Sequence, residues 1–325
     1  MQENIIDIKE NFIKNLDPKL LGILLLDHSS KKNIIWATDN YEHRGFGYQS
    51  TDYIMAEKVS GRNGSVIKPR IEKSKKEQTS RVREKAEVFT PSWICNAQNN
   101  LIDEAWFGRK DIFNVEKDKS WQSIVGLIQF PQDKKWQDYV KENRLEITCG
   151  EAPYLVSRYD TVTGEVIPVN HRIGLLDRKL RIVNENTDNE AEWLEYAMLA
   201  FKSVYGYDWQ GDNVLLAREN LLLTFSDYYA QRFYNPPSLE QLIAIAEIVS
   251  WNIWQMDGLK FVIPNSCKPT RKLQLSIFDD ENPMEECQGC KNNDNSKHTG
   301  IYCKIKDWEK NRSIKFISLL EGGRK

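Results

Sequence analysis

The sequence predicts an α/β protein with a mostly parallel sheet, preceded by a small β-containing extension and followed by a Cys/His module of zinc-knuckle type. Three observations carry this expectation. Short apolar runs at Leu145 to Ile147, Ile173 to Leu176 and Val204 to Tyr207 alternate with helical periodicity over Glu190 to Phe201, Leu215 to Tyr229 and Leu239 to Trp251, and strands spaced by helices of that length build βαβ units. Three of the six cysteines, Cys287, Cys290 and Cys303, cluster near the end of the sequence. After about Pro264 the composition changes to Lys, Asp, Asn and Cys with few aliphatics, which puts a domain edge between 265 and 274. The expected division is therefore 1–85, 86–264 and 265–325.

Composition narrows the class. With 45 Lys+Arg against 47 Asp+Glu the formal net charge is −2, which excludes a wholesale cationic nucleic-acid binder. The apolar run from Leu20 to Leu26 is far below the ~20 residues that a membrane span needs, and no secretory signal is visible, so a cytoplasmic protein is expected. Six cysteines in 325 residues are too few for a disulfide scaffold, and their clustering points to metal.

Taken in order, the first elements are two apolar runs, Leu21 to Leu26 and Asn33 to Trp36, split by the polar stretch His28 to Lys32, which read as a β-hairpin. From Lys68 to Lys85 eight basic residues face three acidic ones. This is either a solvated linker or helix face, or a phosphate-contacting segment in which Lys73, Lys75, Lys76, Arg81 and Arg83 touch DNA. The spacing of Ile94, Leu101 and Ala105 then predicts a helix from Pro91 to Trp106.

Leu145-Glu146-Ile147-Thr148-Cys149-Gly150-Glu151-Ala152-Pro153 reads as a short strand and a tight turn. Gly150 there permits unusual φ and close approach of a ligand beyond the strand's carboxyl end. Val204 to Asp208 ends an apolar run in a carboxylate and passes into a helix, which places Asp208 at a strand tip where it can accept hydrogen bonds from both hydroxyls of a ribose. Its competing role is a helix N-terminal acid. Asp177 ends a similar run, but Arg178 and Lys179 beside it suggest a surface turn. A third run, Trp251 to Leu259, delivers Asp257 beside Gly258, where it can meet the exocyclic amine of an adenine. Cys149 has no adjacent histidine, which argues against a nucleophile, and His28, His43 and His171 show no partner spacing.

These residues resemble the amino-directed DNA methyltransferases of restriction-modification systems, particularly adenine-specific modification subunits, and the whole chain looks like the short bacterial proteins described as restriction endonuclease subunit M. Ala86-Glu87-Val88-Phe89-Thr90-Pro91 is similar to the family's opening aromatic-Thr-Pro turn, and Glu146 to Ala152 to an altered Gly-rich first motif. Tyr205 to Asp208 and Asn252 with Asp257-Gly258-Leu259 resemble the second and third motifs, in the family's order. The resemblance implies a Rossmann-like S-adenosylmethionine-dependent methyltransferase core over 86–264. Phe89, Thr90 and Pro91 would lie at the methionine end of the cofactor, Glu146 and Gly150 beneath it, Asp208 on the ribose and Asp257 on the adenine. It also implies DNA and a protein partner.

The family's Asn/Asp-Pro-Pro-aromatic loop, which holds the flipped base, is missing. The one Pro-Pro, in Asn235-Pro236-Pro237-Ser238, precedes the third motif, has no ring and fits a helix-to-helix link with Ser238 as N-cap; Asn282-Pro283-Met284 has one proline and no ring. The residues after Asp257 also leave no room for the rest of a seven-stranded sheet. Two hypotheses follow. The chain is the cofactor half of an adenine methyltransferase completed by another polypeptide, or a methyltransferase-like subunit that binds DNA or a nuclease partner without reacting. A third makes it a zinc-dependent nucleic-acid module. No nuclease carboxylate-Lys cluster is evident.

Cys287, Cys290, His298 and Cys303 form a C-x2-C-x7-H-x4-C pattern, the spacing of a closed tetrahedral structural Zn2+ site. Lys304, Lys306 and Lys310 beside Tyr302 and Trp308 either grip nucleic acid or leave the two rings to pack over the metal.

Overall fold

The computed structural model describes residues 10–85, 87–271 and 284–321. Its centre is a parallel three-stranded sheet within a mixed α/β fold. The chain opens with α1 (Glu10–Leu16) and α2 (Pro18–Leu25), followed by a two-residue-per-strand hairpin of β1 (Leu26–Asp27) and β2 (Lys32–Asn33). The Leu21 to Leu26 run is thus helix rather than strand, and only its end pairs. The reason is local: Asp17 Oδ1 accepts the Lys19 N–H at 2.6 Å and Pro18 opens the helix, a start signal that decides for helix in a leucine-rich run. Leu20, Leu21, Leu24 and Leu25 are fully buried in one core with the helices described below, each burial stabilising by roughly 1.5–3 kcal/mol.

Next come α3 (Lys75–Lys85) and α4 (Ser92–Phe107). The α4 helix starts one residue after Pro91, and Asp160 caps it by accepting the Ser92 N–H at 2.7 Å. The sheet is β3 (Arg144–Ile147), β4 (Val204–Asp208) and β5 (Ile253–Gln255), in that order, with Leu145 opposite Tyr205 and Gly206 opposite Ile253. Two helices, α5 (Leu175–Asn186) and α6 (Glu190–Lys202), link β3 to β4, and α7 (Gly211–Phe233) and α8 (Leu239–Asn252) link β4 to β5. The alternation read from the sequence therefore gives two βαβ units, and all three carboxyl ends lie at one edge of the sheet.

Ile173 to Leu176 is not a strand. It leads into α5, and Asp177 locks the turn by accepting the Gly174 and Ser157 N–H groups at 3.1 and 2.8 Å. The Asn235-Pro236-Pro237-Ser238 segment is the α7–α8 link, with Ser238 Oγ accepting the Gln241 N–H and Gln241 Oε1 accepting the Ser238 N–H, a capping box. Asn282-Pro283 and Ala86 lie outside the described residues.

The α7 helix crosses the centre of the core. Its buried Arg218 donates to the carbonyls of Leu24, Leu26, Ser250 and Ile253 at 2.6–2.9 Å. One guanidinium thus satisfies the terminal carbonyls of α2 and α8 together. The C-terminal hairpin of β6 (Lys304–Asp307) and β7 (Arg312–Lys315) covers the second face of the sheet, where Ile305 joins Tyr207, Trp254 and Met256 in a separate apolar cluster, with Ile314 and Phe316 packed against it. No helix among the described residues is long and apolar enough to cross a membrane.

Candidate functional site

At the carboxyl ends of β3 and β4 the chain turns around a cleft of about 720 Å³. The β3 strand stops because Thr148, Gly150 and Ala152 alternate into left-handed backbone, with φ of 51°, 53° and 64°. A β-branched residue in that region is strained by about 1–2 kcal/mol, and strain of this kind collects where a ligand is held. The loop is tied to β4: the Cys149 N–H donates to the Tyr207 carbonyl at 2.8 Å and the Gly150 N–H to Asp208 Oδ2 at 3.0 Å. Gly206 makes the approach possible, since a Cβ there would stand 3.2 Å from the Cys149 sulfur.

Phe89, Thr90, Glu146, Gly150 and Asp208, which come from three separate stretches of sequence, line this one cleft. Pro91 sets the turn into α4 just outside the lining. Asp208 accepts the Gln210 N–H at 2.9 Å on its other oxygen, and burial pushes its carboxyl up to about 6. Glu146 accepts the N–H groups of Tyr154 and Leu155 at 3.3 and 3.2 Å. Burial, with the charge of Asp208 added, pushes it up to about 8. A protonated carboxylic acid beside an acceptor can donate as well as accept.

Gln210, Asn213, Asp39 and Asn265, none of them expected there, also line the cleft, as does Glu87 of the opening motif, to which no role was assigned. Gln210 Oε1 and Asn213 Oδ1 are buried and accept no hydrogen bond from the described residues. Gln210 and Asn213 stand two and five positions after Asp208, in the turn from strand to helix that the sequence marks. Asp39 and Asn265 arrive from the N-terminal extension and from beyond β5, with no local signal. The cleft is therefore rich in acceptors and carboxyls, with Lys85 already paired to Asp39 at 2.7 Å and Phe89, Val88, Ile147 and Trp209 as its apolar wall. It suits a ligand bearing hydroxyls and positive charge and disfavours one bearing phosphates.

Asp257 is not in the cleft. The chain reverses after β5, and its carboxylate accepts the Leu259 and Lys260 N–H groups at 3.0 and 3.2 Å and pairs with Lys260 at 3.6 Å, closing a turn.

Two of the proposed DNA contacts are likewise internal. Arg81 bonds Asp212 at 2.5 Å, Glu87 at 3.0 Å and the Tyr41 hydroxyl at 3.1 Å, and Lys73 lies 3.9 Å from Asp212. All these groups are buried, where a charge without a counter-charge is prohibitive. Burial works to raise the Asp212 carboxyl, but Arg81 and Lys73 outweigh it and hold it below its usual range. Lys75, Lys76 and Arg83 remain exposed.

Near the C-terminus Cys267, Cys287, Cys290 and His298 converge, their ligand atoms within 4.8 Å of one another. The three sulfurs stand 3.7, 3.6 and 3.6 Å from His298 Nδ1. A tetrahedral ion with bonds of ~2.3 Å to sulfur and ~2.0–2.1 Å to nitrogen separates those atoms by about 3.6 Å, so this donor set could bind a metal. Gly289 is required beside it, because a Cβ would lie 2.6 Å from His298 Nδ1.

Cys303, the fourth ligand expected from spacing, is elsewhere. It is fully buried in the second cluster, and its thiol donates to the Gln255 carbonyl at 3.3 Å. Cys267, well upstream, takes the vertex because the 261–268 segment runs back along the module, the Cys303 N–H bonding the Phe261 carbonyl and the Ile263 N–H the Ile301 carbonyl. Tyr302 and Trp308 are used internally: the Tyr302 hydroxyl accepts the His298 N–H, and Trp308 Nε1 donates to Asn252.

No family model, curated protein or solved structure matches this chain.

Proposed function

We propose that the cleft binds S-adenosylmethionine and that the chain is a DNA adenine-N6 methyltransferase-like modification subunit of a restriction-modification or phage-defence system, with the catalytic loop supplied by a partner. One observation carries the reading: five residues singled out from separate motifs surround a single acceptor-rich cleft beyond parallel strands. Asp208 and the open acceptors of Gln210 and Asn213 would take the ribose hydroxyls and the amino-acid ammonium. The Asp208 carboxylate would offset the sulfonium charge, and Phe89 would give an apolar surface. When bound, the cofactor supplies an electrophilic methyl group. The residues of this chain bind and orient it, and the strained loop from Thr148 to Ala152 holds its place without a side chain at 150. In the Cys267, Cys287, Cys290 and His298 set we infer structural zinc, since four protein ligands leave no open position.

The test is calorimetric titration of the protein with S-adenosylmethionine, on wild type and Asp208→Ala. Micromolar binding lost in the variant supports the reading, and absence of binding to folded wild type refutes it for this chain alone. A second reading, a methyltransferase-like subunit that binds DNA or a partner without transferring methyl groups, is favoured by the use of the one Pro-Pro pair as a helix link. Transfer of labelled methyl to DNA by the purified chain would exclude it.

A further inference from the structure

On the other side of the 39–41 segment from the cleft, a second cavity of about 460 Å³ opens between the loop carrying His43 and Arg44, the stretch ending at Lys68, and the first turns of α3. Its lining brings together His43, Arg44, Lys68 and Lys76, with Ser65, Ser74 and Ser80 and with Glu77 as the one acid. None of the four basic side chains forms an ion pair or hydrogen bond among the described residues. This contrasts with Lys73 and Arg81 on the same stretch of chain, which are buried against Asp212. Folding has thus paired the inward cations of this segment and gathered outward ones around one opening, where Arg44, Lys68 and Lys76 outnumber the single carboxylate of Glu77. Like charges held together repel, and the net positive opening favours an anion.

The stripe is longer than a single phosphate. Lys76, Ser80 and Arg83 follow at helical spacing on α3, and at ~1.5 Å per residue Arg83 stands about 10 Å along the axis from Lys76. Cations spaced along a groove over about two phosphate repeats match a phosphodiester backbone. We infer that this pocket binds the phosphate backbone of a nucleic acid, independently of sequence and outside the cleft. The inference does not rest on the cleft's ligand.

The experiment is fluorescence anisotropy of a short labelled DNA duplex with the full chain and no cofactor, over a series of salt concentrations. Each phosphate contact contributes about 1 to the slope of log K against log salt. The Arg44→Gln/Lys68→Gln/Lys76→Gln variant should therefore lower that slope by about 3 and weaken binding roughly tenfold or more, whereas Lys117→Gln, on an exposed hairpin outside the pocket, changes neither. The three replaced side chains hold nothing internal, so an unchanged melting curve checks the fold. Failure of wild type to bind the duplex, an unchanged slope in the triple variant, or binding of inorganic phosphate alone without the duplex would each overturn the inference.

Discussion

Replacing Cys267 and Cys303 separately by serine distinguishes the metal set formed in three dimensions from the one spaced in the sequence. Cys267 lies 3.7 Å from His298 Nδ1 and shares the vertex set with Cys287 and Cys290. A structural zinc site of this kind is worth ~10–16 kcal/mol. An equal share per ligand makes the loss of one thiolate about 3 kcal/mol, or roughly 100-fold in metal affinity. The Cys303 thiol meets only the Gln255 carbonyl, at 3.3 Å, and serine keeps a donor there, so that variant should lose no more than about 1 kcal/mol of stability and no metal. Metal content per chain after dialysis against a weak chelator, read by mass spectrometry beside a thermal melt, separates the two. Retention of metal by Cys267→Ser together with its loss from Cys303→Ser would refute the geometry.

Arg81→Gln should cost about 3–5 kcal/mol in urea unfolding, because it leaves Asp212 and Glu87 buried without their partner, while Lys76→Gln leaves the midpoint unchanged. Gly150→Ala, which forces a side chain into a φ of 53°, should lose about 1–2 kcal/mol and weaken any ligand in the cleft. Glu146 carries a pH signature. Its carboxyl sits at about 8 in the folded chain against an ordinary 4.5, so between those values the folded state keeps a proton that the unfolded chain has lost. This contribution is complete below pH 4.5 and is lost as pH rises through 8, at about 1.4 kcal/mol per pH unit. Unfolding midpoints of wild type and Glu146→Gln measured at pH 5 and pH 8 should therefore converge or cross, and a wild type that gains stability over the variant as pH rises would contradict the assignment.

The elements with long, clean periodicity are legible in the sequence. α4, α6, α7 and α8 and the strands that became β3 and β4 stand close to where their apolar spacing put them, because a helix or strand that must bury one face writes that face into the chain. Two elements were misread for local reasons. The aliphatic run of α2 has no strand-or-helix preference strong enough to decide by itself, and its Asp17-Pro18 start settles it. Ile173 to Leu176 is an apolar lead into a helix, indistinguishable by composition from a strand.

Neighbours a few positions apart encode the α/β alternation, the cleft residues next to strand ends, and the presence of a Cys/His donor cluster. The tertiary structure alone decided which of the charged residues are inside. Lys73 and Arg81 look like Lys76 and Arg83 in a one-dimensional reading, yet the first pair is buried against Asp212, contributed by α7, and the second faces solvent. It also decided that Cys267 replaces Cys303 in the metal set, that Asp257 closes a turn, and that Asn265 and Asp39 reach the cleft. Each of these is a contact between segments distant in sequence. The energy that fixes it, desolvation of a charge or closure of a tetrahedron, exists only once the packed core has brought both segments to one place.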